Sequence, residues 1–124
     1  MKKLTLAIFA IPLFSVFSLR ANACDVYGSY PAPVGHVIGS KVYGAYPAPV
    51  GHISGSDIFE SPYPAPIGHL SGNKIYTNYP TPVGYILRSE IYDSRYPTPV
   101  GHGEGCTMPQ LAASALLLSL IDTK

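Results

Sequence analysis

The chain has 124 residues, a formal charge of +1 and only 12% charged side chains. That length holds one small domain, and the near-neutral balance lacks the basic patch that a nucleic-acid partner requires. Its 12 Gly and 13 Pro would point to disorder, but Val, Ile, Leu, Tyr and Phe recur between them at regular spacing.

The N-terminal stretch reads as a signal peptide over residues 1–23. Lys2 and Lys3 form a positive start, Leu4 to Leu19 an apolar run, and Ala21-Asn22-Ala23 a small-residue cleavage site. The run is short for a membrane anchor. Cleavage before Cys24 leaves five basic and seven acidic groups in a periplasmic or secreted domain. A second possibility stays open. Ala21-Asn22-Ala23-Cys24 weakly resembles the lipobox of bacterial lipoproteins, in which the Cys carries the lipid and anchors the protein to a membrane.

From residue 24 to 106 one phrase dominates. Tyr-Pro-x-Pro-(Val/Ile)-Gly starts at Tyr30, Tyr46, Tyr63, Tyr79 and Tyr96, at spacings of 16, 17, 16 and 17 residues. Such a period means identical supersecondary units, none able to bury its apolar face alone. Within a unit, Val34-Gly35-His36-Val37-Ile38 and Lys41-Val42-Tyr43 flank Gly39-Ser40, the signature of a β-hairpin with a type II′ turn. Gly55-Ser56 and Gly72-Asn73 repeat that signature, whereas Arg88-Ser89 breaks it and leaves its turn type open. Proline has no N–H for a ladder, so the Tyr-Pro-x-Pro segments are extended connectors between hairpins.

A two-residue loop fixes register, and register fixes faces. Val37 faces Val42, Ile53 faces Ile58, Leu70 faces Ile75, and Ile86 faces Ile91, with Gly35, Gly51, Gly68, Gly84 and Gly101 on the same aliphatic side. The other side carries His36 with Tyr43, His52 with Phe59, His69 with Tyr76, and Tyr85 with Tyr92. The aliphatic face is the expected core. Val26-Tyr27-Gly28 and Val100-Gly101-His102-Gly103 supply the two halves of a fifth hairpin, pairing His102 with Tyr27. Termini that meet in this way close a ring and remove both sheet edges.

Aligning the units puts Cys24 and Cys106 at the cut turn of that split hairpin. A Cys24–Cys106 disulfide would replace the missing turn and, by chain entropy, add up to ~4.5 kcal/mol. Two unrelated thiols, or a lipid on Cys24, are the alternatives.

Residues 107–124 form an apolar tail in which a helix is expected over 109–121, with Pro109 in its first turn and Thr107 or Met108 as cap. It is too short to span a bilayer. A helix apolar on every side must lie in protein or at a membrane. Its ~20 Å length matches strands of ~17 Å, so the barrel lumen is its expected place.

Val83-Gly84-Tyr85-Ile86 followed by Glu90-Ile91-Tyr92-Asp93 resembles the unit of the bacterial β-flower proteins, shallow closed barrels of short hairpins with rotational symmetry. Five units imply the five-fold form. The resemblance covers about residues 25–105, the Tyr-Pro-x-Pro connectors departing from it. It implies an all-β fold but no function, that of the family being unestablished. A more distant likeness to the Tubby C-terminal barrels, which hold a hydrophobic helix in the lumen and include lipid binders, points the same way.

Nothing in the sequence has the spacing of a catalytic site. There is no nucleophile elbow and no phosphate-binding Gly loop. Only Tyr85, Arg88 and Glu104 break the repeat in a way that a site would need. A metal ring of His36, His52, His69 and His102 is a possible reading, but outward side chains would diverge, and Tyr85 interrupts the set. No cofactor and no enzyme activity are therefore expected. The candidate ligand-binding residues are Tyr30, Tyr46, Tyr63, Tyr79 and Tyr96, which would ring one rim and meet a glycan, peptide or lipid headgroup, or else pack on their own prolines. The outward ladder of His36, His52, His69, Tyr85 and His102 is the second candidate surface. The alternative function is a structural envelope protein held at a membrane by a Cys24 lipid or by the tail.

Overall fold

Each repeat unit folds as a hairpin because its two β-rich runs are separated by residues that tolerate the turn. Gly39, Gly55 and Gly72 take φ of 61°, 63° and 63° at the first central position, while the residue after each keeps negative φ. That is the type II′ pattern. Arg88 and Ser89 both take positive φ, 49° and 66°, so the fourth unit instead makes a type I′ turn without a glycine.

The computed structural model describes residues 23–121. The signal-peptide reading falls on residues 1–22, outside them, apart from Ala23, which opens the first strand opposite Ile38. The strands are β1 (Ala23–Tyr27), β2 (Pro33–Ile38), β3 (Lys41–Tyr43), β4 (Pro49–Ser54), β5 (Asp57–Glu60), β6 (Pro66–Ser71), β7 (Lys74–Tyr76), β8 (Gly84–Leu87), β9 (Glu90–Asp93) and β10 (Pro99–Glu104). One helix, α1 (Met108–Leu117), follows. Every strand pairs antiparallel with its sequence neighbours, and β1 pairs with β10, closing a ten-stranded barrel.

The expected registers hold at all five hairpins: Val37 opposite Val42, Ile53 opposite Ile58, Leu70 opposite Ile75, Ile86 opposite Ile91, and Tyr27 opposite His102. The strands reach further into the connectors than expected. Pro33, Pro49, Pro66 and Pro99 each begin a strand, the one position where a missing N–H costs little. The alternation of 16 and 17 residues also has a cause. The extra residue of each longer spacing is taken up in a β-turn, with Tyr63 N–H donating to Glu60 O at 2.8 Å and Tyr96 N–H to Asp93 O at 3.0 Å.

Cys24 and Cys106 form the disulfide at the cut turn, their Cα atoms 5.1 Å apart. Cys24 lies opposite Val37 as Ser40 lies beside Ile53, so the bridge occupies the place of a hairpin turn.

α1 runs through the lumen and packs against β2 to β6 and β8 to β10, with Leu111, Ala112, Ala113, Ser114 and Ala115 buried. Alanine and serine fill this half because the Val and Ile side chains of the wall already crowd the axis. Where the fifth unit has Gly103 in place of an aliphatic residue, Leu111 fills the gap.

The helix is shorter than the expected 109–121. Leu120 N–H donates to Ala115 O at 3.0 Å and Ser119 N–H to Leu116 O at 3.4 Å, with Ser119 at φ 60°. This is a Schellman turn with serine at the usual glycine position. It ends α1 at Leu117 and swings Leu120 and Ile121 back onto the wall.

Candidate binding rim

The two ends of the barrel differ because hairpin turns lie at one and connectors at the other. α1 enters at the turn end. There Thr107 caps it in a capping box with Gln110, whose side-chain amide also donates to Gly39 O at 3.0 Å. The helix therefore points its C-terminus at the connector end.

At that end five interior glycines meet five side chains of the tail. A Cβ on Gly35 would collide with Leu118, on Gly51 with Leu117, on Gly68 with Leu116, on Gly84 with Ile121, and on Gly101 with Leu120. Each would also strike a wall carbonyl oxygen, that of Tyr43, Phe59, Tyr76, Tyr92 or Tyr27 respectively. Only glycine permits this approach of backbone and plug. The tail thus closes the connector end with a floor of half-buried Leu116, Leu117, Leu118 and Leu120, Ser119 facing solvent.

Around this floor stand Tyr30, Tyr46, Tyr63, Tyr79 and Tyr96, one per connector, 76%, 75%, 61%, 69% and 53% exposed. Each residue is thus more than half exposed. The least exposed, Tyr96, has the Arg95 guanidinium 5.3 Å from its ring centroid.

Charge is distributed unevenly between the two ends. Asp25, Lys41, Asp57, Lys74, Arg88, Glu90 and Glu104 all lie in or beside the turns. The connector end carries Glu60 and an Asp93–Arg95 pair, in which Arg95 donates to both carboxylate oxygens at 3.0 and 2.7 Å. Asp93 is buried, occupying an inward position held by Gly28, Gly44, Glu60 and Thr77 in the other units. No motif in the sequence singles it out. Its place in the repeat, two residues before Arg95, was the signal that could have found it.

The second candidate surface is the barrel's outer girdle. His36, His52, His69, Tyr85 and His102 each stack flat on a cross-strand ring, with centroids 4.8 to 5.1 Å apart and planes within 7°. These pairs point outward and diverge. Among the described residues no three His, Cys, Asp or Glu gather to hold a metal ion. Two girdle phenols are perturbed upward from the ordinary tyrosine value. Tyr92 donates to Glu90 Oε1 at 3.1 Å, and that bond, then partial desolvation, holds its proton. Tyr27 is raised by desolvation first, then by the negative charges of Glu104 and Asp25.

Tyr85, Arg88 and Glu104, the residues that break the repeat, do not converge. Tyr85 is in the girdle, Arg88 in the type I′ turn and Glu104 opposite Asp25 at the end of β10. Among the described residues no helix is long and apolar enough to cross a membrane. Compared with family models, curated proteins and solved structures, the chain matches none.

Proposed function

We propose that this protein is an exported, non-enzymatic binding module whose tyrosine–proline rim is its contact face. The observation that carries the reading is the ring of five tyrosines, each more than half exposed, around an apolar floor, on an end whose charges among the described residues are Glu60 and the Asp93–Arg95 pair. Exposed apolar surface of this kind marks an interaction site. Tyrosine suits the task because it offers a rigid amphipathic face at little entropic cost.

The Cys24–Cys106 disulfide supports residence in an oxidising compartment, and the N-terminal pattern makes that compartment the bacterial periplasm or the exterior. Kinship with the five-fold β-flower proteins is part of the same proposal and rests on the likeness of the repeat unit. A structural envelope role resting on a Cys24 lipid or on the tail finds both anchors already engaged. The Cys24 sulfur is bonded to Cys106, and the apolar tail is inside the barrel.

The test is retention of the purified protein on peptidoglycan sacculi, on a proline-rich peptide resin and on lipid vesicles, beside a Tyr46→Ala/Tyr63→Ala variant. The reading requires retention on at least one of these, falling roughly tenfold or more in the variant. Equal retention of the variant, or none of the wild type, would remove the rim from consideration.

A further inference from the structure

The symmetry and charge of the rim narrow its partner further. We propose that all five tyrosines dock together on the interfacial zone of a zwitterionic lipid bilayer, an inference that rests on the rim being the contact face.

A discrete peptide or oligosaccharide presents one shape and would engage two or three of five equivalent tyrosines, leaving the rest idle. A bilayer surface is uniform in its plane and engages all five at once, summing weak contacts through multivalency. Sites for small polar ligands also place hydrogen-bonding side chains beside the apolar surface to fix orientation. Here the residues before the tyrosines are Ser29, Ala45, Pro62, Asn78 and Arg95, with no polar partner repeated around the ring.

Tyrosine is enriched where membranes meet water, its ring among the acyl–headgroup boundary and its hydroxyl hydrated. The half-buried leucines of the floor would lie over the same boundary. Charge selects the lipid. Among the described residues the rim offers one exposed carboxylate, Glu60, and a guanidinium bonded to Asp93, with no basic cluster for anionic headgroups. Seven of the ten charged residues among those described sit at the far end, in water. Residues 24–124 carry five basic against seven acidic groups, which disfavours an anionic surface further.

The test is flotation of the oxidised, exported protein with phosphatidylcholine vesicles, with vesicles containing phosphatidylglycerol, and in parallel pelleting with peptidoglycan sacculi. The variants are Tyr46→Ser/Tyr63→Ser/Tyr79→Ser on the rim and Tyr43→Ser/Tyr76→Ser on the girdle, with circular dichroism confirming that both fold. The proposal requires flotation with phosphatidylcholine, reduced roughly tenfold by the rim variant and unchanged by the girdle variant. Flotation that needs phosphatidylglycerol overturns the zwitterionic assignment. Rim-dependent pelleting with sacculi and no flotation overturns the lipid inference while leaving the rim as contact face. Absence of rim-dependent binding to any of the three overturns both.

Discussion

Gly51 shows how much the fold asks of one residue. Its missing side chain leaves room for the Phe59 carbonyl on one side and Leu117 on the other. Gly51→Ala should destabilise the protein by roughly 1–3 kcal/mol through overpacking, read from the urea midpoint. Gly55→Ala meets open space, so its cost of roughly 1–3 kcal/mol should come from backbone strain at φ 63° and not from packing. That the glycines face inward was legible from register, but their reason was not, because no local pattern shows which tail residue arrives opposite each. The same holds for Tyr92, whose alternation places it on the girdle but does not reveal its bond to Glu90. Because the fold holds the Tyr92 and Tyr27 phenols above their ordinary value, it favours their neutral forms. That contribution is complete below the unfolded value of about 10 and is lost as pH rises through the folded values. In an alkaline absorbance titration, Glu90→Gln should bring the ionisation of Tyr92 down, because the carboxylate that holds its proton is removed.

At the scale of elements, the hairpins could be read almost whole, because Gly-Ser turns and period-2 alternation are local signals. Arg88-Ser89 could not be assigned, since a type I′ turn built from two non-glycine residues contradicts the local preference and is imposed by its flanking strands. The helix was legible at its start and not at its end. Thr107-Met108-Pro109-Gln110 carries a capping box, whereas the stop at Leu117 depends on Ser119 taking a left-handed conformation that usually identifies itself by glycine. Gln110 closes the capping box and ties the helix to the Gly39 turn. Gln110→Ala should therefore cost roughly 1–2 kcal/mol by thermal or urea unfolding, more than an exposed cap would. A loss near zero would mean that the helix entry is not anchored to that turn.

The whole molecule is a ring whose ends are stapled and whose interior is filled by its own tail. Closure was readable because the half-units at the two ends complement each other, and the aligned copies placed both cysteines at the cut. The polarity of the drum was not read from the sequence. It emerges only when most of the charges along the described chain gather at the turn end, leaving Glu60 and the Asp93–Arg95 pair among the tyrosines and prolines of the connector end. Reducing the disulfide should lower stability by about 2–4 kcal/mol, seen as a fall in thermal midpoint, because the open chain regains the entropy of a long loop. The contact role of the rim is tested most directly by hydroxyl-radical footprinting of the protein on phosphatidylcholine vesicles, read tyrosine by tyrosine by mass spectrometry. The account predicts that Tyr30, Tyr46, Tyr63, Tyr79 and Tyr96 are protected together while Tyr43 and Tyr76 react as they do in free protein. Protection of the girdle in place of the rim, or of no tyrosine, would contradict it.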